Sequence, residues 1–153
     1  MKPKLLVSAC LLGTPCRYDG KSKKNEAVCA LADIYDLVPV CPEVLGGLPT
    51  PRTPSERRGP SVVTKDGRDV TAEYRRGAEA ALDAARREGA AAAVLKTRSP
   101  SCGSGEIYDG TFAGSLTAGD GVTAELLKAH NIAVFGENEE SLSKLRHPLG
   151  QST

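Results

Sequence analysis

The chain has 153 residues, of which 40% are hydrophobic and 25% charged, enough to bury one core and unlike the composition of a disordered or fibrous chain. Lys and Arg number 20 against 19 for Asp and Glu, a formal net charge of +1, so no overall field gathers nucleic acid or an anionic membrane. No apolar run has the length of a membrane span, and Leu5-Leu6-Val7 is too short for a signal peptide's apolar region, so a cytoplasmic location is expected.

Residues 4–9 form a short apolar, β-leaning run and read as a first strand. Asn25 is placed to cap a helix that carries Val28, Leu31 and Ile34 on one face. Residues 37–40 read as a second buried strand, which Pro42 stops because proline cannot extend a central ladder. Residues 46–60 are dense in Gly, Pro and Arg and read as a surface loop, in which Arg57 and Arg58 face solvent or make local ion pairs. Residues 62–70 read as a hairpin or irregular extended piece turning at Asp66-Gly67.

Thr71 is the expected cap of a helix running to Glu88, with Tyr74, Ala78, Ala81, Leu82 and Ala85 on one stripe and Gly89 ending it. Residues 91–95 read as a third strand, followed by the turn-rich Ser99-Pro100-Ser101-Cys102-Gly103 and a glycine-rich loop or small flap over 104–121. Val122–Ala129 reads as a helix and residues 132–135 as a fourth strand. Asn138 caps a last helix through Leu145, and the tail after about residue 147 is expected to fray.

Strands alternating with amphipathic helices imply βαβ units. The expected fold is a three-layer, Rossmann-like α/β fold, with a mostly parallel sheet covered on both faces, in a single domain over residues 1–153. In open sheets of this kind, ligands sit outside the carboxyl ends of the strands.

Cysteines number five, an odd count that a reducing compartment would not assemble into a disulfide framework. Cys10 follows the first expected strand, Cys41 ends the second, and Cys102 lies a few residues beyond the third. Parallel neighbours would bring these thiols to one sheet edge, where soft thiolates suit zinc, copper(I) or an iron–sulfur cluster. No Cys-x-x-Cys pair marks a structural zinc site. The competing reading is that these are small buried hydrophobes, the commonest fate of an intracellular cysteine. Cys29 is assigned to the core of its helix. Cys16, in the turn Thr14-Pro15-Cys16-Arg17, is placed where it could approach the site but is read as a non-ligand, and His130 and His147 are read as non-ligands too.

The runs Ser8-Ala9-Cys10-Leu11-Leu12-Gly13, Arg17-Tyr18-Asp19-Gly20 and residues 41–52 (CPEVLGGLPTPR) are joined by Ser99-Pro100-Ser101-Cys102-Gly103 and residues 107–112 (IYDGTF). Together they make the chain similar to the thiouracil desulfurases, a resemblance that runs from Lys4 to about Phe135. It implies an oxygen-labile 4Fe–4S cluster held by Cys10, Cys41 and Cys102, with the fourth iron lacking a protein ligand. It also implies an enzyme that removes sulfur from a thiolated base or nucleoside, the substrate sulfur binding that iron. Glu43 and Ser99 match positions with acid–base and proton-handling roles. Larger relatives that act on thiolated transfer RNA carry an extra domain absent here, so the expected partner is a small molecule, with neither nucleic acid nor membrane.

The chemistry is coherent. A thiocarbonyl sulfur is a soft ligand, and an iron with an open position is a Lewis acid that would polarise the carbon–sulfur bond toward attack by water. Glu43 suits the general base, although without the resemblance it reads as a solvated loop glutamate or a helix-start carboxylate. Ser99 and Ser101 read as turn caps or as substrate hydrogen-bonding groups. Arg52 is a candidate clamp at the rim, and Tyr18 is a candidate to stack on a flat ring. The alternatives are a non-catalytic thiolate metal-binding or sensor protein, and a metal-free thiol enzyme that handles persulfide.

Overall fold

A computed structural model describes residues 2–146; the expected frayed tail lies outside these described residues. At the centre are four parallel strands in the order β2-β1-β5-β8, namely β1 (Lys4–Ser8), β2 (Asp36–Val40), β5 (Ala92–Val94) and β8 (Ala133–Phe135). Alternation along β1 explains its place in the middle. Leu5 and Val7 enter one core and Leu6 the other, all fully buried, each burial contributing about 1.5–3 kcal/mol. β2 carries Pro39 and takes the edge, where a missing backbone donor is tolerated.

One face of the sheet is covered by α1 (Glu26–Cys29), its 3-10 continuation Ala30–Asp33, and α5 (Glu139–Leu145), through Val28, Leu31, Leu142 and Leu145. Asn25 and Asn138 cap these helices as expected, their side chains accepting from Val28 N and Ser141 N at 3.0 and 2.8 Å. The opposite face is covered by α3 (Thr71–Glu88) and α4 (Val122–Ala129), through Ala81, Leu82, Ala85, Ala124 and Leu127. The result is the expected three-layer, mostly parallel α/β fold. Among the described residues no helix is long and apolar enough to cross a membrane.

The chain runs from β1 to one neighbour, β2, and returns on the other side of β1 as β5. This reversal opens a crevice at the carboxyl ends of the strands, the favoured ligand position in such sheets. α2 (Pro42–Leu45) leaves β2 directly into it.

Several local expectations change. The stretch 46–60 is not all loop: β3 (Ser55–Arg58) pairs antiparallel with β4 (Ser61–Thr64). β3 has no apolar alternation to announce it; pairing and its arginines hold it. Arg57, with its side chain 15% exposed, meets Glu125 at 2.6 Å and the Asp120 carbonyl at 2.7 Å, and Arg58 donates to the Gly110 carbonyl. These arginines fasten the hairpin to α4 and to the flap, where solvent exposure or local pairing was expected. The flap is itself a hairpin, β6 (Glu106–Tyr108) with β7 (Leu116–Ala118). Val70, and not Thr71, precedes the first turn of α3; the Thr71 hydroxyl instead accepts from Val62 N. Cys29 is only half-buried, its thiol donating to the Leu11 carbonyl at 3.7 Å.

Candidate functional site

The thiols reach the crevice by local geometry. β1 runs straight into the 3-10 turn Ala9–Leu12; the Cys10 carbonyl is fixed by Gly13 N at 3.3 Å and Lys23 N at 3.0 Å. Cys41 stands with extended backbone just before α2, and Pro42 begins the helix, where proline is pre-organised. Cys102 sits in the turn after β5, where the Ser99 hydroxyl accepts from Ser101 N and Cys102 N, both at 3.1 Å.

These turns enclose a cavity of about 540 Å³, lined by Cys10, Cys16, Cys41 and Cys102 together with Glu43, Ser99, Arg52, Tyr18 and Tyr74. That volume suits a small ligand, for which pockets span about 300–1,000 Å³. The basic residues Arg17, Lys23, Arg52, Lys96 and Arg98 face the acidic Glu43 and Glu56 around it, a lining suited to a net negative occupant.

The thiols of Cys10, Cys41 and Cys102 therefore share one space, and a further thiol joins them. Cys16 is buried and its thiol is hydrogen-bonded to those of Cys10 and Cys41; the Cys41 thiol also donates to the Cys16 carbonyl at 3.8 Å. Among the described residues no three His, Cys, Asp or Glu side chains close on a point that a single ion would occupy. The donors are soft thiols, the ligand type of iron–sulfur clusters. By that chemistry the residues fit such a cluster.

Without a cluster the thiols of Cys16, Cys41 and Cys102 stay protonated at neutral pH. Burial pushes Cys102 up to about 12, the Ser8 hydroxyl acting against it and the Glu43 charge adding to the rise. Cys41 is raised strongly, first by its hydrogen bond with Cys16 and then by burial, with the Val44 amide opposing. Cys16 is raised chiefly through its hydrogen bond with Cys10. Ligation by these thiols would release their protons.

Glu43 is held on α2, which lies backbone to backbone on α3. A Cβ on Gly46 would stand 2.0 Å from the Glu73 carbonyl oxygen, and one on Gly77 would stand 1.9 Å from that of Pro42. Only glycine permits this approach. The Glu43 carboxylate, 16% exposed, accepts from Arg52 Nε at 3.0 Å. The Tyr74 hydroxyl bonds to Glu43 and Ser55; burial, then the Glu43 charge, drives the phenol's pKa upward, so it remains protonated. Burial works against the Arg52 charge, and the Glu43 carboxylate more than offsets it.

Ser99 lines the cavity while capping the turn. Its oxygen accepts both amides, which leaves its own proton to point toward a cavity occupant. Ser101 takes the other direction. It is fully buried, 2.8 Å from the Thr123 hydroxyl, and supports the Cys102 thiol from behind. Tyr18 is 42% exposed at the cavity mouth, with the Arg17 guanidinium 5.7 Å from its ring centre. Arg98, next to Ser99, has φ of 66°, a strained conformation for a residue with a side chain.

Sequence reasoning missed Ser8 and Tyr74, whereas Cys16 does approach the site, as its turn allowed. Tyr74 shows only its apolar position on a helical stripe; its polar tip reaches the cavity from beneath. Ser8 looked like the end of a strand, yet its hydroxyl accepts from Lys96 N at 2.9 Å and bonds to the Cys102 thiol.

Comparison with known proteins adds independent findings. The sequence pattern of a family described as 2-thiouracil desulfurase matches residues 5–139. A Bacillus subtilis (strain 168) protein, described as uncharacterized protein YbbK, is 46% identical over 145 residues, spanning 88% of this chain and 96% of its own. A solved structure described as the [4Fe-4S]-dependent thiouracil desulfidase TudS is 52% identical, with a TM-score of 0.88 over 95% of this chain and 96% of that one.

Proposed function

Because the chain belongs to the 2-thiouracil desulfurase family, an enzyme family, we propose that it is a 4Fe–4S-dependent desulfurase that converts a thiolated base or nucleoside to its oxygen analogue and hydrosulfide. Cys10, Cys41 and Cys102 are the ligands in this reading, one after each of the strands β1, β2 and β5. The observation that carries it is their convergence with Glu43 and Ser99 on one cavity at the carboxyl edge of the sheet. The family match and the similarity to a protein described as a [4Fe-4S]-dependent thiouracil desulfidase support the same reading.

When bound, the cluster supplies an iron without a cysteine ligand, a Lewis acid suited to a soft thiocarbonyl sulfur. The remaining work falls to the chain. Glu43, with one carboxylate oxygen held by Arg52, takes a proton from the attacking water through the other. Ser99 passes its hydroxyl proton to the departing sulfur and regains one from the added water's oxygen as the new carbonyl forms, and Glu43 then releases its own proton to solvent, so water's two protons are accounted for. Tyr18 covers the mouth and offers a face for a flat ring. The basic lining offsets the negative charge that thiolates and sulfide bring to the cavity. No net electron transfer occurs: water supplies the oxygen, and sulfur leaves at the oxidation level at which it arrived.

Anaerobically reconstituted protein is expected to turn over 2-thiouracil in ¹⁸O-labelled water, releasing one hydrosulfide per product and leaving the label on the carbon that lost sulfur. Unlabelled product overturns the hydrolytic route. No sulfide from thiolated bases or nucleosides overturns the desulfurase reading.

A further inference from the structure

Arg52 was expected as a clamp on substrate, but its hydrogen bonds run elsewhere. Nε donates to Glu43 Oε1 at 3.0 Å, and one terminal nitrogen donates to the Cys16 carbonyl at 2.9 Å. The other terminal nitrogen donates to the Pro49 carbonyl and the Thr50 hydroxyl, both at 3.1 Å. Four of the guanidinium's five N–H groups are thereby engaged within the protein, and the side chain is only 6% exposed. The backbone adds to this, since Arg52 N donates to the Tyr18 carbonyl at 2.7 Å. Arg52 thus joins the distant turn bearing Cys16 and Tyr18 to the nearby helix bearing Glu43 and the adjoining turn at Pro49-Thr50.

Resting on the desulfurase reading of this cavity, we propose that Arg52 is a positioning residue that locks the Glu43 carboxylate to the Cys16–Tyr18 turn, and does not bind substrate. A planar fork with fixed donor directions can serve these acceptors together; a lysine ammonium offers one point of attachment and cannot. Fixing Oε1 aims the second carboxylate oxygen into the cavity, while the same guanidinium holds the backbone carbonyl of Cys16. One side chain therefore couples the general base to the turn that carries Cys16.

The roles separate by experiment. A substrate clamp lost in Arg52→Lys would raise KM and spare kcat. Loss of positioning lowers kcat by about 10²-fold, the effect of misplacing a reacting group by about 1 Å, with KM within about threefold. Turnover of 2-thiouracil is compared for wild type, R52K, E43Q and the double variant R52K/E43Q. The double variant is expected to be no slower than E43Q, because Arg52 acts through Glu43. Backbone hydrogen exchange gives a readout independent of turnover. The amides of Arg17 and Gly20, bonded within the turn to Lys21 O and Arg17 O, are expected to exchange faster in R52K, while those of β5 stay unchanged.

A raised KM with unchanged kcat, or unaltered exchange at residues 14–21, overturns the proposal. If R52K fails to fold, Thr50→Val, which removes one acceptor outside the cavity lining, serves instead; it is expected to lower kcat and speed the same exchange, and no change in either overturns the proposal. If wild-type protein desulfurates nothing, the desulfurase reading falls by itself, and the exchange measurement still decides whether Arg52 locks the turn.

Discussion

Replacing Gly77 by alanine tests how Glu43 is seated. In an ordinary helix interior the change stabilises, since alanine exceeds glycine by about 1 kcal/mol in helix propensity. Here the new Cβ would lie 1.9 Å from the Pro42 carbonyl oxygen and 2.7 Å from its carbon. Real Cβ atoms essentially never approach within 3.0 Å, so the gap between α2 and α3 must open from 1.9 Å to at least that distance. Overpacking of this size costs about 1–3 kcal/mol, and it acts on backbone, which yields less readily than a flexible side chain. The net expectation is a loss of up to about 2 kcal/mol, the steric cost exceeding the propensity gain. The displaced element also carries Glu43, two residues from Cys41, so turnover should fall by about 10²-fold. Urea unfolding of G77A should show a lower midpoint with an unchanged slope, and 2-thiouracil turnover should fall with it. A midpoint at or above wild type, with normal turnover, refutes the claim that this glycine contact seats the base.

Other consequences concern the thiols and the serines. In cluster-free protein, Cys102 is raised to about 12 against an ordinary value of 9.0. A thiol that stays protonated when folded and ionises when unfolded lowers stability as pH climbs above its unfolded pKa. Urea stability should therefore be level below about pH 8 and decline above pH 9 by up to about 1.4 kcal/mol per pH unit for each such thiol; in Cys102→Ser the decline should be shallower, and an equal slope contradicts the assignment. Ser99→Ala should lower kcat by about 10²-fold, the scale of acid–base groups. Ser101→Ala should spare kcat but cost about 1–3 kcal/mol of stability, because the buried Thr123 hydroxyl loses its partner; the opposite pattern would exchange their roles.

What was legible in the sequence followed from short-range chemistry. Apolar runs ending in Cys10 and Cys41 marked the strands and the edge they share, and Asn25 and Asn138 announced their helices through a capping preference that acts over a few residues. What was hidden depended on distant partners. The turn of Cys16 has no regular structure, and its carbonyl is bonded to Arg52, 36 residues away, a partner that the turn's own residues do not announce. The strand Ser55–Arg58 has no apolar face and exists through pairing with β4 and anchors on Glu125 and Gly110. Ser99 and Ser101 look alike in sequence, and only the packing of α4, which brings Thr123 to Ser101, turns one inward and leaves the other facing the cavity. Arg52 read as a rim cation because sequence shows a charge and not the acceptors that consume it.

The most direct test of the cavity's role is iron and sulfide content, after anaerobic reconstitution, of Cys10→Ser, Cys41→Ser and Cys102→Ser beside Cys16→Ser and Cys29→Ser. About four irons and four sulfides per chain are expected in wild type. That content should persist in the Cys16 and Cys29 variants and be lost in each of the other three. A full complement in any variant of Cys10, Cys41 or Cys102, or a wild type that takes up no iron, contradicts the account.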